Sequence, residues 1–424
     1  MKGFLEELTW RNMIHDTTPG VEAHLKEGPR VGYIGFDPTA PSMTIGNYVQ
    51  IMLLTLFQRA GHTPIVLMGG ATGRIGDPSG KDKERQLKSY EELDRNLNAQ
   101  VEQMKRFLRF DGPNAARLVN NYDFYKDMNV LDFLRDVGKN LTVNYMLSKD
   151  SVKKRLDTGL SFTEFSYQLL QAYDYLNLFE KENCTIQMGG SDQWGNITSG
   201  TEFIRRNTTK GKAYAITTPL LTKADGTKFG KSEEGNIWLD AKLTSPYKFY
   251  QFWINADDAD IPTYTRYFTL KSKEEVEAME AAGDLRAMKA ELAKEITSRI
   301  HGNEAYNNVL KVSELLFGRN INSNNINELH AEVWEMIANE IPVFTSSGDT
   351  VKNYMIDTLL TEYAGIFKSK GELRRSIKGN ALSINKQKIT SPDVKITSDN
   401  VLPGGYILVE NGKKNKFLLK IKNE

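Results

Sequence analysis

The sequence predicts an α/β protein: a parallel sheet with crossover helices, then a helical region and a small basic module at the C-terminal end. Three observations carry that reading. Short apolar strands alternate with segments of helical periodicity between Val31 and Asn120, and helical spacing dominates from about Ser245 to Phe317. Positive charge is concentrated after Val351.

Residues 31–36 read as a buried strand, and Asp37-Pro-Thr-Ala-Pro41 as a turn-rich loop. Apolar residues then recur at helical spacing over 45–60, with Gly61 as C-cap. Residues 64–68 form the next strand, which ends in Gly69-Gly70. A glycine-rich loop, 71–80, leads into a charged amphipathic helix that ends near Phe110, and 117–120 is a short strand. This alternation favours a parallel sheet, whose ligands sit beyond the carboxyl ends of its strands. Tyr33–Thr39 and the segment 69–81 lie at two such ends. Ser161-Phe-Thr-Glu164 has capping-box spacing and opens a helix that runs to about Glu180. Residues 185–188 form another strand, 320–327 a polar loop, and Thr345-Ser-Ser-Gly-Asp349 a linker to the basic module.

A chain of 424 residues is expected to form two or three domains. Its single cysteine, Cys184, excludes an internal disulfide and suits a reducing compartment. The opening MKGFLEELTWRN mixes acidic with apolar residues, unlike a signal peptide, and the most apolar run, 51–57, is too short to cross a bilayer. A cytosolic protein with no membrane partner is expected. Residues 351–424 hold 14 Lys/Arg against 7 Asp/Glu, so a chain of net charge +1 carries −6 over its first 350 residues. A basic module on an acidic body suits a polyanion such as nucleic acid, and equally a solvated lysine-rich surface.

Three constellations carry chemistry. Tyr167, Gln171 and Asp174 fall at i, i+4 and i+7 on one helix face, among apolar neighbours. A polar stripe on a mostly apolar helix is better explained by a pocket than by open water. The second is Thr222-Lys-Ala-Asp-Gly-Thr-Lys228-Phe-Gly-Lys231-Ser232, whose lysines, glycines and hydroxyls suit a loop closing on phosphates, or a solvated turn. A P-loop is excluded, because its first glycine would fall at Asp225 and no apolar helix follows Ser232. The third, Gly35-Phe-Asp37-Pro-Thr39 through Thr44-Ile-Gly46-Asn47, leads from a strand end to a helix N-terminus, where free N–H groups and the helix dipole favour an anion.

Together these stretches resemble the bacterial type of tyrosyl-tRNA synthetase, a class I aminoacyl-tRNA synthetase. The matching segments are Tyr33-Ile-Gly-Phe-Asp-Pro-Thr-Ala40, Gly69-Gly-Ala-Thr-Gly-Arg-Ile-Gly-Asp-Pro-Ser-Gly80, Ser161-Phe-Thr-Glu-Phe-Ser-Tyr167, Gly189-Gly-Ser-Asp-Gln-Trp-Gly195, Lys228-Phe-Gly-Lys-Ser232 and Thr244-Ser-Pro-Tyr-Lys-Phe-Tyr-Gln-Phe-Trp253. The blocks occur in order over almost the whole chain. Lys368-Ser-Lys370, Arg374-Arg375 and Ser383-Ile-Asn385 are similar to an S4-type RNA-binding module. The resemblance implies a Rossmann-like catalytic domain over 1–221 with a dimer-interface insertion around 120–155. It further implies a mobile phosphate-binding loop over 222–244, a helical tRNA-binding domain over 245–330, and an S4-like α+β domain over 345–424.

The same resemblance assigns roles. Tyr33 and Asp174 would bond the substrate's phenolic hydroxyl, and Asp77, Tyr167 and Gln171 its ammonium group. Gln193 would lie near the reacting carboxylate and Asp192 on the ribose, while Gly35 and Gly190 make room for adenosine. Asp37, Thr44, Gly46 and Asn47 would border the ATP site. Thr39, Lys81, Arg85, Lys228, Lys231 and Ser232 would gather around the departing pyrophosphate. ATP is implied as substrate, accompanied by Mg²⁺, with tRNA(Tyr) and L-tyrosine as the other partners and a homodimer as the assembly. The five histidines (His15, His24, His62, His301, His330) are scattered and suggest no protein metal site.

Two departures stand out. The family's His-x-Gly-His signature reads Thr44-Ile-Gly-Asn47 here, and Ile34 occupies a position where many relatives have cysteine. The alternatives are therefore a catalytically idle RNA-binding relative, or activation of tryptophan. Against tryptophan stands the Tyr33 and Asp174 pair, which indole could not satisfy.

Overall fold

The strands of the first half are β1 (Asp16–Thr17), β2 (Val31–Phe36), β3 (Thr63–Met68), β4 (Arg117–Asn120), β5 (Cys184–Gly190) and β6 (Tyr214–Thr218). In the computed structural model they form one sheet in the order β1-β6-β5-β2-β3-β4. All neighbouring pairs are parallel except β1 with β6. The structure describes residues 3–79, 87–156, 159–209, 211–232, 235–318, 320–347, 354–412 and 415–422.

The strand order sets the position of the site. From β2 the chain builds outward through β3 and β4, then returns to place β5 on the other side of β2. Connections leaving β2 and β5 run to opposite sides, which opens a crevice at their carboxyl ends. The central strands are buried on both faces, as parallel strands covered by helices must be. The Ile45–Arg59 helix presents Ile51, Leu53, Leu54 and Phe57 to the interior, and each such burial contributes roughly 1.5–3 kcal/mol. Phe57 lies so close to β2 that a Cβ on Gly32 would meet its ring at 2.9 Å.

Strands β2 and β4 match their expected bounds, and β3 and β5 extend theirs slightly. The charged helix runs from Tyr90 to Phe107, capped by Ser89. The helix after Ser161 spans Phe162–Glu182, with the Ser161 hydroxyl accepting from the Glu164 N–H. The carboxylate of Glu164 is bound by the buried Arg155 at 2.8 Å. Local spacing thus found the cap, while an arginine nine residues away holds the glutamate.

Beyond β6, the loop 219–230 leads to a short hairpin of β7 (Lys231–Ser232) and β8 (Gly235–Asn236). This segment lies on the N-terminus of the Ile45–Arg59 helix. Ile237 accepts from Ile45 N–H at 3.0 Å, Met43 accepts from Leu239 N–H at 2.9 Å, and a Cβ on Gly230 would stand 3.1 Å from Gly46 N. Gly230 has φ +88, so a side chain there would be strained as well as crowded.

By its internal contacts the chain divides into two units, residues 1–244 with 252–296, and residues 245–251 with 297–424. The Pro246–Ile254 and Leu285–His301 helices contribute residues to both. The second unit contains β9 (Val343–Ser347), β10 (Tyr354–Met355), β11 (Leu382–Ile384), β12 (Gln387–Lys388), β13 (Lys395–Ile396), β14 (Tyr406–Asn411) and β15 (Asn415–Lys422). Five of them form a sheet in the order β12-β11-β14-β15-β9, and β10 pairs with β13. The core of this module joins Leu359, Leu373, Leu382, Val409 and Leu419. The linker expected at Thr345–Asp349 is overturned over Thr345–Ser347, which lie in β9 beside β15; Gly348 and Asp349 fall outside the described residues. Phe344 packs on the module core, and that anchors the segment as a strand.

Candidate active site

A cleft of about 560 Å³ opens at the carboxyl ends of β2 and β5. Strand β2 delivers Tyr33, Gly35 and the following Asp37 and Thr39, and β5 delivers Gly190, Asp192 and Gln193. The Phe162–Glu182 helix lines it with Tyr167, Gln171 and Asp174, the three residues its periodicity places on one face. Asp77 comes from the loop after β3, while Thr44, Gly46, Asn47, Lys228 and Lys231 close the remaining side. Gly35 faces open space, with nothing within 4 Å of where a Cβ would stand. Lys81 and Arg85 lie outside the described residues, as does the side chain of Ser232.

A chain of hydrogen bonds runs beneath the pocket. Tyr167 donates its hydroxyl to Asp37 Oδ2 at 2.8 Å, and Thr72 donates to Asp37 Oδ1 at 2.7 Å. Asn121 Nδ2 donates to Thr72 Oγ1 and to Asp174 Oδ2, each at 2.9 Å. Asp174 Oδ1 in turn accepts from the Tyr125 hydroxyl at 2.6 Å. Gly69 makes the junction possible, since a Cβ there would fall 2.0 Å from Asp37 Oδ1. Asp37, assigned by resemblance to the nucleotide side, is thus bonded to Tyr167, which the same resemblance assigns to the amino acid.

Burial pushes the Asp174 carboxyl up to about 7, against the downward pull of its bonds from Tyr125 and Asn121. Tyr33 is buried, its hydroxyl has no hydrogen-bond partner, and desolvation holds it well above its ordinary pKa, as a neutral donor. Gln171 Oε1 is likewise buried without a partner. Asp77 accepts from Gln193 Nε2 at 2.7 Å and from Ser79 N–H at 2.9 Å. Burial, and then Asp77, raise the Asp192 carboxyl from its ordinary value.

At the first loop, Thr44 and Asn47 form a reciprocal capping box on the Ile45–Arg59 helix. No local pattern in the sequence announces Thr72, Asn121 or Tyr125 as part of this network. The one signal available was that Asn121 directly follows the carboxyl end of β4, where parallel sheets gather their ligands. Among the described residues, no group of three or more His, Cys, Asp and Glu could hold a metal ion, and no helix is long and apolar enough to cross a membrane.

A pocket of hydroxyls and carboxylates joined to a helix terminus and two lysines suits nucleotide-dependent activation of a small polar molecule. A model of the class I tRNA synthetases (W and Y) matches residues 25–318, so the fold and cleft are those of that class. Residues 332–419 match the tyrosine–tRNA ligase SYY-like C-terminal domain. The chain belongs to the tyrosine–tRNA ligase family. A tyrosine–tRNA ligase of Cytophaga hutchinsonii is 54 % identical, covering 99 % of this chain and 100 % of the relative. One from Bacteroides fragilis (strain YCH46) is 50 % identical over 98 % of this chain and 99 % of its own. A C-terminally truncated mitochondrial tyrosyl-tRNA synthetase of Aspergillus nidulans superposes with a TM-score of 0.67 at 32 % identity, over 75 % of this chain and 95 % of that one.

Proposed function

We propose that this chain is an active tyrosine–tRNA ligase, which forms tyrosyl-adenylate from L-tyrosine and ATP and then charges tRNA(Tyr). One observation carries the amino-acid assignment. The buried Tyr33 hydroxyl is without a partner in a cleft that also holds the Asp174 carboxylate, and a substrate phenol would satisfy both. Phenylalanine would leave the Tyr33 hydroxyl unpaired and offer no donor to the remaining lone pairs of Asp174, the case for which tyrosyl-tRNA synthetase is itself the standing example.

Asp77, Tyr167 and Gln171 would receive the ammonium group, which needs acceptors, and Gln171 Oε1 is free to serve. The substrate carboxylate attacks the α-phosphorus of ATP, forming a C–O–P bond while the bond to the β-phosphate oxygen breaks. An ionised carboxylate needs no general base. Lys228 and Lys231, with Thr39, line the cleft and would meet the negative charge that accumulates on pyrophosphate, so catalysis would rest on positioning and charge stabilisation. Mg²⁺ enters on the ATP phosphates as part of the substrate. A terminal ribose hydroxyl of the tRNA, the 2′ in the class I pattern, then attacks the adenylate carbonyl and AMP leaves.

The remaining assignments follow the charge and the surface. The basic module after β9 is assigned to RNA, as an S4-like element, and the helices over 245–330 to the tRNA body. Val130, Leu131, Leu134 and Val143 are exposed apolar residues in one segment, which supports a homodimer interface around 120–155. A cytoplasmic location fits the lone, buried Cys184. Pyrophosphate exchange into ATP, run with each of the twenty amino acids, tests the reading. Exchange with tyrosine alone supports it, exchange with tryptophan instead overturns the substrate, and no exchange at all points to an idle RNA binder.

A further inference from the structure

Tyr125 does not line the cleft, yet it makes the shortest bond to the one carboxylate that the phenol reading requires. It follows the Asn121–Phe124 turn beyond β4. Its hydroxyl reaches Asp174 Oδ1 at 2.6 Å and the Leu170 carbonyl, one helical turn earlier, at 2.8 Å. The ring is held between Phe133 and Tyr173, with centroids 6.4 and 5.7 Å away. Asn121 occupies the other carboxylate oxygen, so the two donors fix the carboxylate plane and leave its remaining lone pairs for the substrate. We infer that Tyr125 is a positioning residue for phenol recognition, holding Asp174 in the orientation that accepts the substrate hydroxyl. This rests on the tyrosine reading of the cleft.

The charge environment makes the role measurable. Asp174 is faced by the Tyr33 hydroxyl from β2, by Asp37 beyond that strand, by Tyr167 on its own helix, and by Asn121 and Tyr125. Burial first, and then Asp37, favour the protonated form, while the Tyr125 and Asn121 donors favour the ionised one. Removing the Tyr125 hydroxyl therefore loosens the carboxylate and shifts it toward its neutral form, and both changes weaken discrimination for a hydroxyl.

The test is Y125F against the wild type in tyrosine- and phenylalanine-dependent pyrophosphate exchange from pH 6 to 9, normalised to the number of active sites from the adenylate burst. The expected result is a KM for tyrosine raised about tenfold, with the effect on KM exceeding that on kcat. Selectivity for tyrosine over phenylalanine should fall by a similar factor. The acid-side loss of kcat/KM for tyrosine should move to higher pH. If KM, selectivity and the pH midpoint all match the wild type per active site, the role of Tyr125 is overturned while the tyrosine reading survives. A fall only in active-site number would likewise reduce Tyr125 to a packing residue. A wild type that exchanges with no tyrosine would sink both.

Discussion

Thr44 and Asn47 hold each other across the first turn of the Ile45–Arg59 helix. Asn47 Oδ1 accepts from Thr44 N–H at 3.0 Å and from the Thr44 hydroxyl at 2.8 Å, and Thr44 Oγ1 accepts from Asn47 N–H at 3.4 Å. The two departures from the family signature are therefore one structural unit. It preserves the helix terminus, while the Thr44 hydroxyl and the Asn47 amide oxygen are engaged with each other.

The cations should consequently dominate. K228A or K231A is expected to slow adenylate formation by ~10²-fold, and T44A or N47A by only ~3-fold while costing about 1 kcal/mol of stability. Single-turnover adenylate formation with parallel urea denaturation would check this. The reverse ranking of rates would mean that the cap acts directly on the nucleotide.

Asp174 makes a prediction about stability. Folded, its carboxyl titrates near 7, against an ordinary 3.8. Between those values the folded chain retains a proton that the unfolded chain has released, so this group's contribution is full below pH 4 and is lost as pH rises through 7. The stability of the wild type relative to D174N should fall by on the order of 4 kcal/mol from pH 4 to pH 8. A difference that stays flat with pH, in denaturant titrations, would show Asp174 ionised at its ordinary value.

Tyr33 should behave in the opposite way from an ordinary buried tyrosine. Its hydroxyl bonds to nothing in the free protein, so Y33F should leave thermal stability unchanged or slightly raised. Selectivity for tyrosine over phenylalanine should drop by about 10- to 100-fold. Unchanged selectivity would remove Tyr33 from substrate recognition.

The C-terminal module should be separable in function. Truncation before β9, at residue 342, is expected to leave pyrophosphate exchange within about twofold and to reduce tRNA charging by at least ~10-fold. Cutting at 351 instead would leave β9 without β15, as an open strand edge. Equal charging by the truncated and full chains would exclude an RNA role for the module.

The sequence made legible whatever local signals specify. Strands β2 and β4, the Ser161 cap and the polar stripe at Tyr167, Gln171 and Asp174 all follow from spacing within a few residues. What escaped depends on distance along the chain. Asn121 and Tyr125 meet Asp174 across 53 and 49 residues, and no periodicity announces such a meeting. Arg155 binds the Glu164 carboxylate from only nine residues away, but likewise outside any helical period. Thr345–Ser347 has the composition of a linker, and the partner that makes it part of β9 lies far downstream.

That order of strands also has a consequence during synthesis. β15, the last of the described strands, is inserted between β14 and β9 rather than added at an edge. A nascent chain that has already exposed β9, β11 and β14 therefore still lacks the strand that joins β14 to β9, and β9 waits without its β15 partner until residues 415–422 have emerged from the ribosome. Without residues 415–422, β9 would be left as an open strand edge, so closure of this sheet depends on a stretch far downstream of its first strand.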